Sequence, residues 1–208
     1  NSQLDFIAAL TRRTDVDWGR TEVFHMDEYA GIAADHPASF RLWLRNRVDL
    51  KVRPARMHYI EGDAPDTDAE IRRYSALLLG GPLDVAFVGF GENGHIAFND
   101  PPVADFNDPA TLKKVALDEA CRRQQVGEGH FKDLASVPTH AITVTCSGLR
   151  RAAAWICCVP ERRKADAVRR ALLGPITTAC PASIVRQHPH ASVFLDPASA
   201  EGLDSPGA

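Results

Sequence analysis

Short apolar runs alternate with stretches of helical spacing along the chain, and this alternation is the strongest structural signal in the sequence. The apolar runs are rich in the β-branched and aromatic residues that are typical of strands. They span residues 23–26, 85–88, 141–145, 154–159 and 191–195. Between them, apolar residues recur at helical spacing over residues 37–48, 67–79 and 161–173, and in a shorter stretch near 118–128. Strands alternating with helices predict an α/β fold, with a doubly wound, mostly parallel sheet covered by helices on both faces.

The domain organisation follows from the length and from the lack of a linker-like segment. A chain of 208 residues has the size of one ordinary domain. We therefore expect a single α/β domain over residues 1–197 and a tail containing Pro and Gly over residues 198–208. Ligands of such folds bind outside the carboxyl ends of the strands, so the segments that follow strands are where chemistry is expected.

Composition and charge argue against several classes of function. The 24 Lys and Arg residues against 27 Asp and Glu residues give a formal net charge of −3, which provides no overall attraction for nucleic acid. No apolar run reaches the roughly 18–20 residues that a membrane-spanning helix needs. Five cysteines without paired or metal-type spacing favour reduced thiols and a cytoplasmic protein. No His/Cys set has the spacing of a metal site.

Two acidic residues, Asp27 and Glu28, directly follow the first apolar strand. A carboxylate at the carboxyl end of a strand can act as a general base when partial burial raises its pKa towards the working pH. The other interpretation is that one of the two carboxylates caps a turn. The pattern leaves both interpretations open.

A glycine-rich segment follows the strand at 85–88, with Gly89, Gly91 and Gly94 in the spacing G-x-G-x-x-G. In a dinucleotide-binding turn, a helix begins at the third glycine and an acidic residue follows about 20 positions later. Here a Pro-Pro pair follows Gly94 within eight residues, and lysines stand where the acidic residue is expected. The segment therefore does not predict a nucleotide cofactor.

The same segment contains His95, whose side chain can change its charge near neutral pH. Gly91 and Gly94 allow a ligand to approach the backbone closely, so Gly94 is a candidate substrate-binding residue. Asn93 and Asp100 flank the histidine as candidate orienting partners. A solvated or turn-bonded imidazole is the alternative interpretation.

Two long motifs in this order resemble the glucosamine-6-phosphate deaminase and isomerase family, which is related in fold to 6-phosphogluconolactonase. The first is Met-Asp-Glu-Tyr-Ala-Gly at 26–31, and the second is Gly-Phe-Gly-Glu-Asn-Gly-His-Ile-Ala-Phe-Asn-Asp-Pro at 89–101. The similarity extends over nearly the whole chain and includes the segments 118–125, 137–143 and 176–183. Two such motifs in the right order are more specific than either one alone.

The resemblance implies an enzyme of amino-sugar metabolism and N-acetylglucosamine catabolism, which places the chain among hydrolases and deaminases. It implies conversion of glucosamine 6-phosphate into fructose 6-phosphate and ammonia, without a metal or organic cofactor. Asp27 resembles the base that moves a proton between C2 and C1 of the open-chain sugar. His95 resembles the residue that helps to open the pyranose ring, with Asn93 and Asp100 holding it.

The resemblance also implies where the phosphate binds. Lys164 resembles the phosphate-binding lysine of the family, and a helix N-terminus would add favourable partial charge there. Arg122 or Arg123 would supply a further cation. Ser2 and Gln3 resemble the last residues of a glycine-rich phosphate loop, so we expect the sequence to start after the first strand of the family and most of that loop.

Two departures from the family pattern affect the substrate and the ring-opening step. Asn93 stands where a close relative would have Asp, and Asp100 stands where Glu is familiar. The nearest alternative is a 6-phosphogluconolactonase-type hydrolase, and a more distant one is a non-catalytic phosphosugar-binding sensor. The expected partner is a small amino-sugar phosphate, and homo-oligomerisation is left open.

Overall fold

The strands and helices alternate along most of the chain in a computed structural model that describes residues 2–117, 119–127, 129 and 131–203. The strands are β1 (Glu22–Phe24), β2 (Asp27–Tyr29), β3 (Arg56–His58), β4 (Leu83–Val88), β5 (Leu112–Ala116), β6 (His140–Val144), β7 (Ala152–Val159) and β8 (Ala191–Leu195). The α-helices are α1 (Leu4–Leu10), α2 (Phe40–Leu44), α3 (Leu50–Val52), α4 (Thr67–Leu79), α5 (Glu119–Gly127), α6 (Cys146–Leu149) and α7 (Ala165–Leu173). A π-helical turn over Arg45–Asp49 connects α2 to α3, and short 3₁₀ helices occupy Trp18–Arg20, Leu134–Ser136, Arg162–Lys164 and Pro181–Gln187.

The contacts between described residues separate the chain into two compact units. Among the described residues, the first unit comprises 2–3, 79–111 and 144–203, and the second comprises those within 4–78 and 112–143. The expected single domain over residues 1–197 stays a prediction. The expected tail lies partly outside the described residues, because the description ends at 203.

A parallel three-stranded sheet in the order β4-β7-β8 forms the centre of the first unit. Its register places Val88 of β4 opposite Cys157 of β7. Trp155, Cys157 and Val159 alternate along β7 and are buried, so they share the fully covered face of the sheet, whereas Ile156 and Cys158 on the other face are half-buried. The indole of Trp155 donates a 3.0 Å hydrogen bond to the Leu149 carbonyl, so its polar atom is satisfied within the core.

Two smaller sheets form the second unit. β1 and β3 pair in parallel, with Phe24 opposite His58. β2 pairs with β6 in the antiparallel direction, with Asp27 opposite Thr143, in a sheet of order β2-β6-β5. The buried hydroxyl of Tyr74 on α4 contacts the carbonyl oxygens of His25 and His58 at 2.8 and 3.0 Å. This tyrosine therefore ties α4 to the carboxyl ends of β1 and β3.

Long helices form at two of the places where the spacing of apolar residues predicted them. α4 occupies residues 67–79 and buries Tyr74 and Leu78. It begins after Asp66, whose Oδ1 accepts a 2.9 Å hydrogen bond from the Ala69 N–H, which is the contact of an N-cap. α7 buries Ala167, Val168 and Ala171, the small and apolar side chains along one face, and it ends before Gly174.

Several boundaries differ from the predictions for physical reasons. The predicted strand at 23–26 is wrong in extent, because β1 ends at Phe24 and Asp27 starts a new strand that pairs with β6. β3, β5 and α1 were not predicted, since short or lysine-containing segments give little periodic signal. The helix predicted over 161–173 begins as a 3₁₀ turn at Arg162–Lys164. The helix near 118–128 is α5, and positions 118 and 128 lie outside the described residues.

Candidate active site

The histidine loop, which we define as residues 89–101, leaves the carboxyl end of β4 in the first unit. It returns on itself through two backbone hydrogen bonds, from Gly91 N–H to the His95 carbonyl at 2.9 Å and from Gly94 N–H to the Gly91 carbonyl at 3.0 Å. A Cβ on Gly91 would lie 2.2–2.4 Å from three atoms of the His95 ring, which is too close for any side chain. Glycine at position 91 therefore provides the space that the imidazole occupies.

The backbone of the loop contains two residues with positive φ, Gly94 at +88° and Ala97 at +51°. Glycine adopts such a conformation easily, whereas alanine does so at a cost. The buried side chain of Asn99 helps to maintain the turn, because its amide donates to the carbonyl oxygens of Ile96 and Val144, each at 2.9 Å. No helix begins at Gly94, so the dinucleotide interpretation remains unsupported.

Asn93, His95 and Asp100 form one cluster inside the loop. The Asn93 amide nitrogen donates to Asp100 Oδ1 at 2.7 Å, and Asn93 Oδ1 accepts from the His95 backbone N–H at 2.9 Å. Nδ1 of the His95 ring lies 3.0 Å from the same Asp100 oxygen. Nδ1 is buried and is not aligned for a hydrogen bond, so this contact is a close charge pairing when the imidazole is protonated. The structure thus brings together the three residues that the sequence predicted.

Burial makes this cluster suitable for proton transfer. The side chain of Asp100 is only 3% exposed and that of His95 is 13% exposed, so neither is fully screened by water. Asn93 supplies a neutral amide that orients both groups without adding a second negative charge. The cluster combines a partly accessible imidazole with an orienting carboxylate, which is the arrangement of a general acid–base group.

Ser2 and Gln3 lie beside the start of the histidine loop. The Gln3 amide nitrogen donates to the carbonyl oxygens of Val88 at 3.1 Å and Cys158 at 3.3 Å. A Cβ on Gly89 would lie within 3.7 Å of both Ser2 and Gln3. The two residues are therefore placed at the carboxyl ends of β4 and β7, and their role in binding phosphate stays a prediction.

Lys164 belongs to the 3₁₀ turn that precedes α7, and its side chain is almost fully buried, with the residue 3% exposed. The adjacent Arg163 pairs with Glu161 at 2.8 Å and with Glu92 of the histidine loop at 3.2 Å. The turn carrying Lys164 is thereby linked to the histidine loop within the first unit. A buried lysine next to a helix start is a suitable cation for phosphate, although its role stays a prediction.

Asp27 and Glu28 lie in the second unit. Glu28 is fully buried, and its two oxygens accept four hydrogen bonds. The donors are the Ser39 hydroxyl at 2.7 Å and the backbone N–H groups of Arg41 at 2.8 Å, Tyr29 at 3.0 Å and Phe40 at 3.2 Å. Desolvation raises the pKa of Glu28, and these donors partly oppose the increase. Glu28 therefore caps the start of α2, while Asp27 starts β2 and is half-buried.

The neighbouring arginines Arg122 and Arg123 of α5 also differ. Arg122 donates from Nη2 to the carbonyl oxygens of Leu134 at 2.6 Å and Val137 at 2.9 Å, so it holds the 134–137 segment. Arg123 is exposed and pairs with Glu119 one helical turn away. Arg122 is the better placed of the two for a structural role, and phosphate binding by either one stays a prediction.

The sequence left open whether Asp27 or Glu28 is a capping carboxylate, and the structure assigns capping to Glu28. Sequence reasoning missed the contact of Arg170 with the histidine loop. The signal for Glu28 was present in Ser39, a typical N-cap residue before the helical spacing of α2. No sequence signal pointed to Arg170.

Among the described residues, no group of three His, Cys, Asp or Glu side chains is placed to hold a metal ion. Likewise, no helix of the described chain is both long and apolar enough to cross a membrane.

Known proteins resemble the chain over most of its length. Residues 3–194 match the family described as glucosamine-6-phosphate isomerases/6-phosphogluconolactonase. A glucosamine-6-phosphate deaminase of Exiguobacterium sp. is 36% identical over 186 residues, which cover 89% of this chain and 71% of that protein.

Solved structures show a similar fold. A monomeric glucosamine-6-phosphate deaminase has a TM-score of 0.77 at 32% identity, covering 85% of this chain and 73% of that chain. A 6-phosphogluconolactonase from Thermotoga maritima has a TM-score of 0.73 at 16% identity, covering 94% and 80%, and shows the fold alone. Together with the parallel sheet of the first unit, these structures confirm the predicted α/β fold class.

Proposed function

The chain belongs to the glucosamine-6-phosphate isomerase/6-phosphogluconolactonase family, and from this premise we propose that it is a glucosamine-6-phosphate deaminase. The reaction is the deaminating isomerisation of glucosamine 6-phosphate to fructose 6-phosphate and ammonia. Relatives that carry this name are 32% and 36% identical over 88% and 89% of the chain. The substrate is a small amino-sugar phosphate.

The observation that carries the proposal is the cluster of Asn93, His95 and Asp100 at the end of β4. A cyclic amino sugar must open before the carbon next to its aldehyde can lose a proton. Opening moves one proton from the hydroxyl on C1 to the ring oxygen. His95 can accept and return that proton, because its ring is partly exposed and Oδ1 of Asp100 lies 3.0 Å from its Nδ1.

Asp27 is proposed as the base of the next step. Its carboxylate removes the proton from C2 of the open-chain sugar, and the electron pair forms a C1–C2 double bond while the π bond of the C1 aldehyde breaks and O1 takes a proton from solvent. Asp27 then returns its proton to C1, as the C1–C2 double bond gives way to a C2–nitrogen double bond formed by the nitrogen lone pair. The C2–nitrogen bond is then an imine, water adds to C2, and ammonia leaves to give the C2 ketone of fructose 6-phosphate. Asp27 is half-buried at the first residue of β2, a setting in which a carboxylate can act as a base.

The classification of the enzyme as a hydrolase is wrong. The named relatives are glucosamine-6-phosphate deaminases, and the structure at 32% identity is that of a deaminase as well. The defining step of this reaction is the proton transfer between adjoining carbons, and water enters only afterwards to replace the amine. The lactonase branch provides the hydrolases of the family, and its likeness to this chain shows the fold alone.

Phosphate recognition is proposed to use Lys164, Ser2, Gln3 and the backbone around Gly94. In support, all four belong to the same unit as His95, and Arg163 links the Lys164 turn to the histidine loop. The cytoplasmic location and the oligomeric state stay predictions.

The test measures both products in one reaction. Purified protein is incubated with glucosamine 6-phosphate, and ammonia and fructose 6-phosphate are quantified by separate coupled assays. We expect equal amounts of the two products, and a decrease in kcat of about 100-fold or more for Asp27→Asn, as for loss of a general base. Glucosamine without phosphate serves as the control for phosphate recognition, and galactosamine 6-phosphate tests the choice of hexosamine.

Two outcomes would overturn the proposal. Hydrolysis of 6-phosphogluconolactone without release of ammonia from glucosamine 6-phosphate would place the chain with the lactonases. An increase of the melting temperature by glucosamine 6-phosphate without any turnover would indicate a sensor that kept the binding site.

A further inference from the structure

The back of the histidine loop is held by an arginine that lies outside the loop. Arg170, in the second half of α7, donates from Nη1 to the Asn93 carbonyl at 3.4 Å and from Nη2 to the Ala179 carbonyl at 2.6 Å. Its Nη1 also lies 3.7 Å from Asp166, one turn earlier on the same helix, and its side chain is 35% exposed. One guanidinium thus spans two segments that are 86 positions apart in sequence, at 93 and 179.

The second segment touches the histidine loop directly. A Cβ on Gly94 would lie 2.6 Å from Sγ of Cys180, and the Ala182 N–H donates to the Gly94 carbonyl at 2.7 Å. Gly94 has a φ of +88°, so the chain bends sharply between Asn93, which Arg170 holds, and His95. The support of this bend therefore consists of Arg170, Cys180 and Ala182, all outside the loop.

Asn93 transmits this support to the reacting group. Its carbonyl oxygen accepts from Arg170, while its side chain accepts from the His95 N–H and donates to Asp100. We propose that Arg170 is a positioning residue for His95, acting through the Asn93 carbonyl and the Cys180 segment. The proposal rests on the proposed function for its catalytic consequence, but the clamp itself is a structural statement about the first unit.

The chemistry of the side chain explains why an arginine is suited to this place. A guanidinium presents several N–H donors in a fixed plane, so it can donate to two carbonyl oxygens at once. A lysine at this position keeps the charge but has a single nitrogen on a flexible stem, and it would hold one segment less firmly. Arg170→Lys is therefore expected to give an intermediate effect, between those of the native arginine and alanine.

The chain offers a matched control next to Arg170. Arg169 lies on the same helix, is 52% exposed, and pairs with the same Asp166 at 3.4 Å. Among the described residues, the hydrogen bond and ion pair found for Arg169 both go to Asp166 and not to the histidine loop. Arg169→Ala removes the same charge from the same helix and leaves the clamp intact.

The first measurement separates catalysis from binding with glucosamine 6-phosphate as substrate. For Arg170→Ala we expect kcat to fall by about 10- to 100-fold, as for a small misplacement of a reacting group, with KM within about twofold. The kcat of Arg170→Lys should lie between those of the native enzyme and Arg170→Ala, and the kcat of Arg169→Ala should match the native value. The pH profile of kcat should change in Arg170→Ala and stay native in Arg169→Ala, because only the former displaces the group that Asn93 orients.

The second measurement does not depend on activity. Each variant is treated with iodoacetamide, and the alkylation rate of Cys180 is followed by peptide mass spectrometry. Burial raises the pKa of the Cys180 thiol, and the charge of Arg170 partly opposes this increase. Removing that charge alone would slow alkylation, so faster alkylation of Cys180 in Arg170→Ala would show that the segment has loosened.

The two measurements distinguish the possible failures. Native kcat together with native Cys180 protection in Arg170→Ala would overturn the proposal. An equal effect of Arg169→Ala would also overturn it, since a general charge effect would then be sufficient. If the native protein did not turn over glucosamine 6-phosphate but Cys180 became reactive only in Arg170→Ala, the clamp would stand and the proposed function would fail.

Discussion

The segments that follow β1 and β4 organise their functional side chains in opposite ways. After β4, Asn93, His95 and Asp100 contact one another within eight positions of the chain. After β1, Glu28 takes its partners from outside its own segment. Glu28 turns to Ser39 and Arg41, which lie 11 and 13 positions away, and caps α2.

The difference shows what a local motif can determine. In the histidine loop, the partners lie inside the motif, so the residue types and spacing contain most of the site. For Glu28, the partners that decide its role lie in another segment of the chain. Because successive strand residues point to opposite faces, β2 separates the two carboxylates, and only tertiary contacts show which one is structural.

The largest effect is expected when the capping carboxylate is made neutral. Each oxygen of Glu28 accepts two hydrogen bonds, so Glu28→Gln leaves about two buried donors without an acceptor. We expect a loss of about 3 kcal/mol in the free energy of unfolding, measured by urea denaturation. Asp27→Asn should cost about 1 kcal/mol or less. Similar losses in the free energy of unfolding for Glu28→Gln and Asp27→Asn would contradict the assignment of the capping role to Glu28.

The histidine loop can be disturbed by a single methyl group. In Gly91→Ala, the new Cβ would lie 2.2–2.4 Å from ring atoms of His95, so the imidazole must move. We expect kcat/KM for glucosamine 6-phosphate to fall about 100-fold, which corresponds to a displacement of about 1 Å of a catalytic group. Gly81→Ala is the control, since no atom lies within 4 Å of a Cβ there. Full activity in Gly91→Ala would show that the ring position is unimportant.

Much of the first unit follows from the sequence, because its signals are local. The apolar runs locate β4, β7 and β8, and the motif at 89–101 contains the glycine that makes room for the imidazole as well as the partners of that imidazole. Arg170 could not be predicted, since its usefulness depends on α7 packing beside the loop. A pair of arginines on a helix that also carries an acidic residue normally indicates a solvated face.

The second unit was harder to predict for related reasons. β2 has only three residues, and two of them are acidic, so neither length nor apolar content indicates a strand. It exists because β6, more than 110 positions later, provides a hydrogen-bonding partner. β5, with Lys113 and Lys114 at its centre, was missed in the same way.

His25, between β1 and Asp27, provides a pH-dependent test of the second unit. Complete burial lowers the pKa of His25 to about 3, and the nearby charge of Arg41 adds to this effect. Below the ordinary pKa of about 6.5, the unfolded chain binds a proton that the folded chain does not. Stability is therefore full above pH 6.5 and is lost as the pH falls towards 3, by about 2 kcal/mol at pH 5 from this residue.

The variant that tests this is His25→Asn, which can keep an acceptor for the Ile60 N–H that now donates to Nδ1 at 3.3 Å. The free energy of unfolding, measured by urea denaturation, should decrease less between pH 7.5 and pH 5 for His25→Asn than for the native protein. His190→Asn, at an exposed position, should behave like the native protein. An unchanged pH dependence in His25→Asn would contradict a buried neutral imidazole.

The smallest expected effect concerns a second pair of adjacent residues that carry the same charge, Arg122 and Arg123. The pair Arg123–Glu119 is exposed on both sides, so Arg123→Ala should cost about 0.5 kcal/mol or less and leave KM unchanged within about twofold. Arg122→Ala removes two hydrogen bonds to backbone carbonyls and should cost more, about 1.5 kcal/mol. An increase of KM in Arg123→Ala, with stability unaffected, would assign the phosphate contact to the exposed arginine. In that case, contacts with distant residues would identify the structural residue of the acidic pair but not the functional residue of the arginine pair.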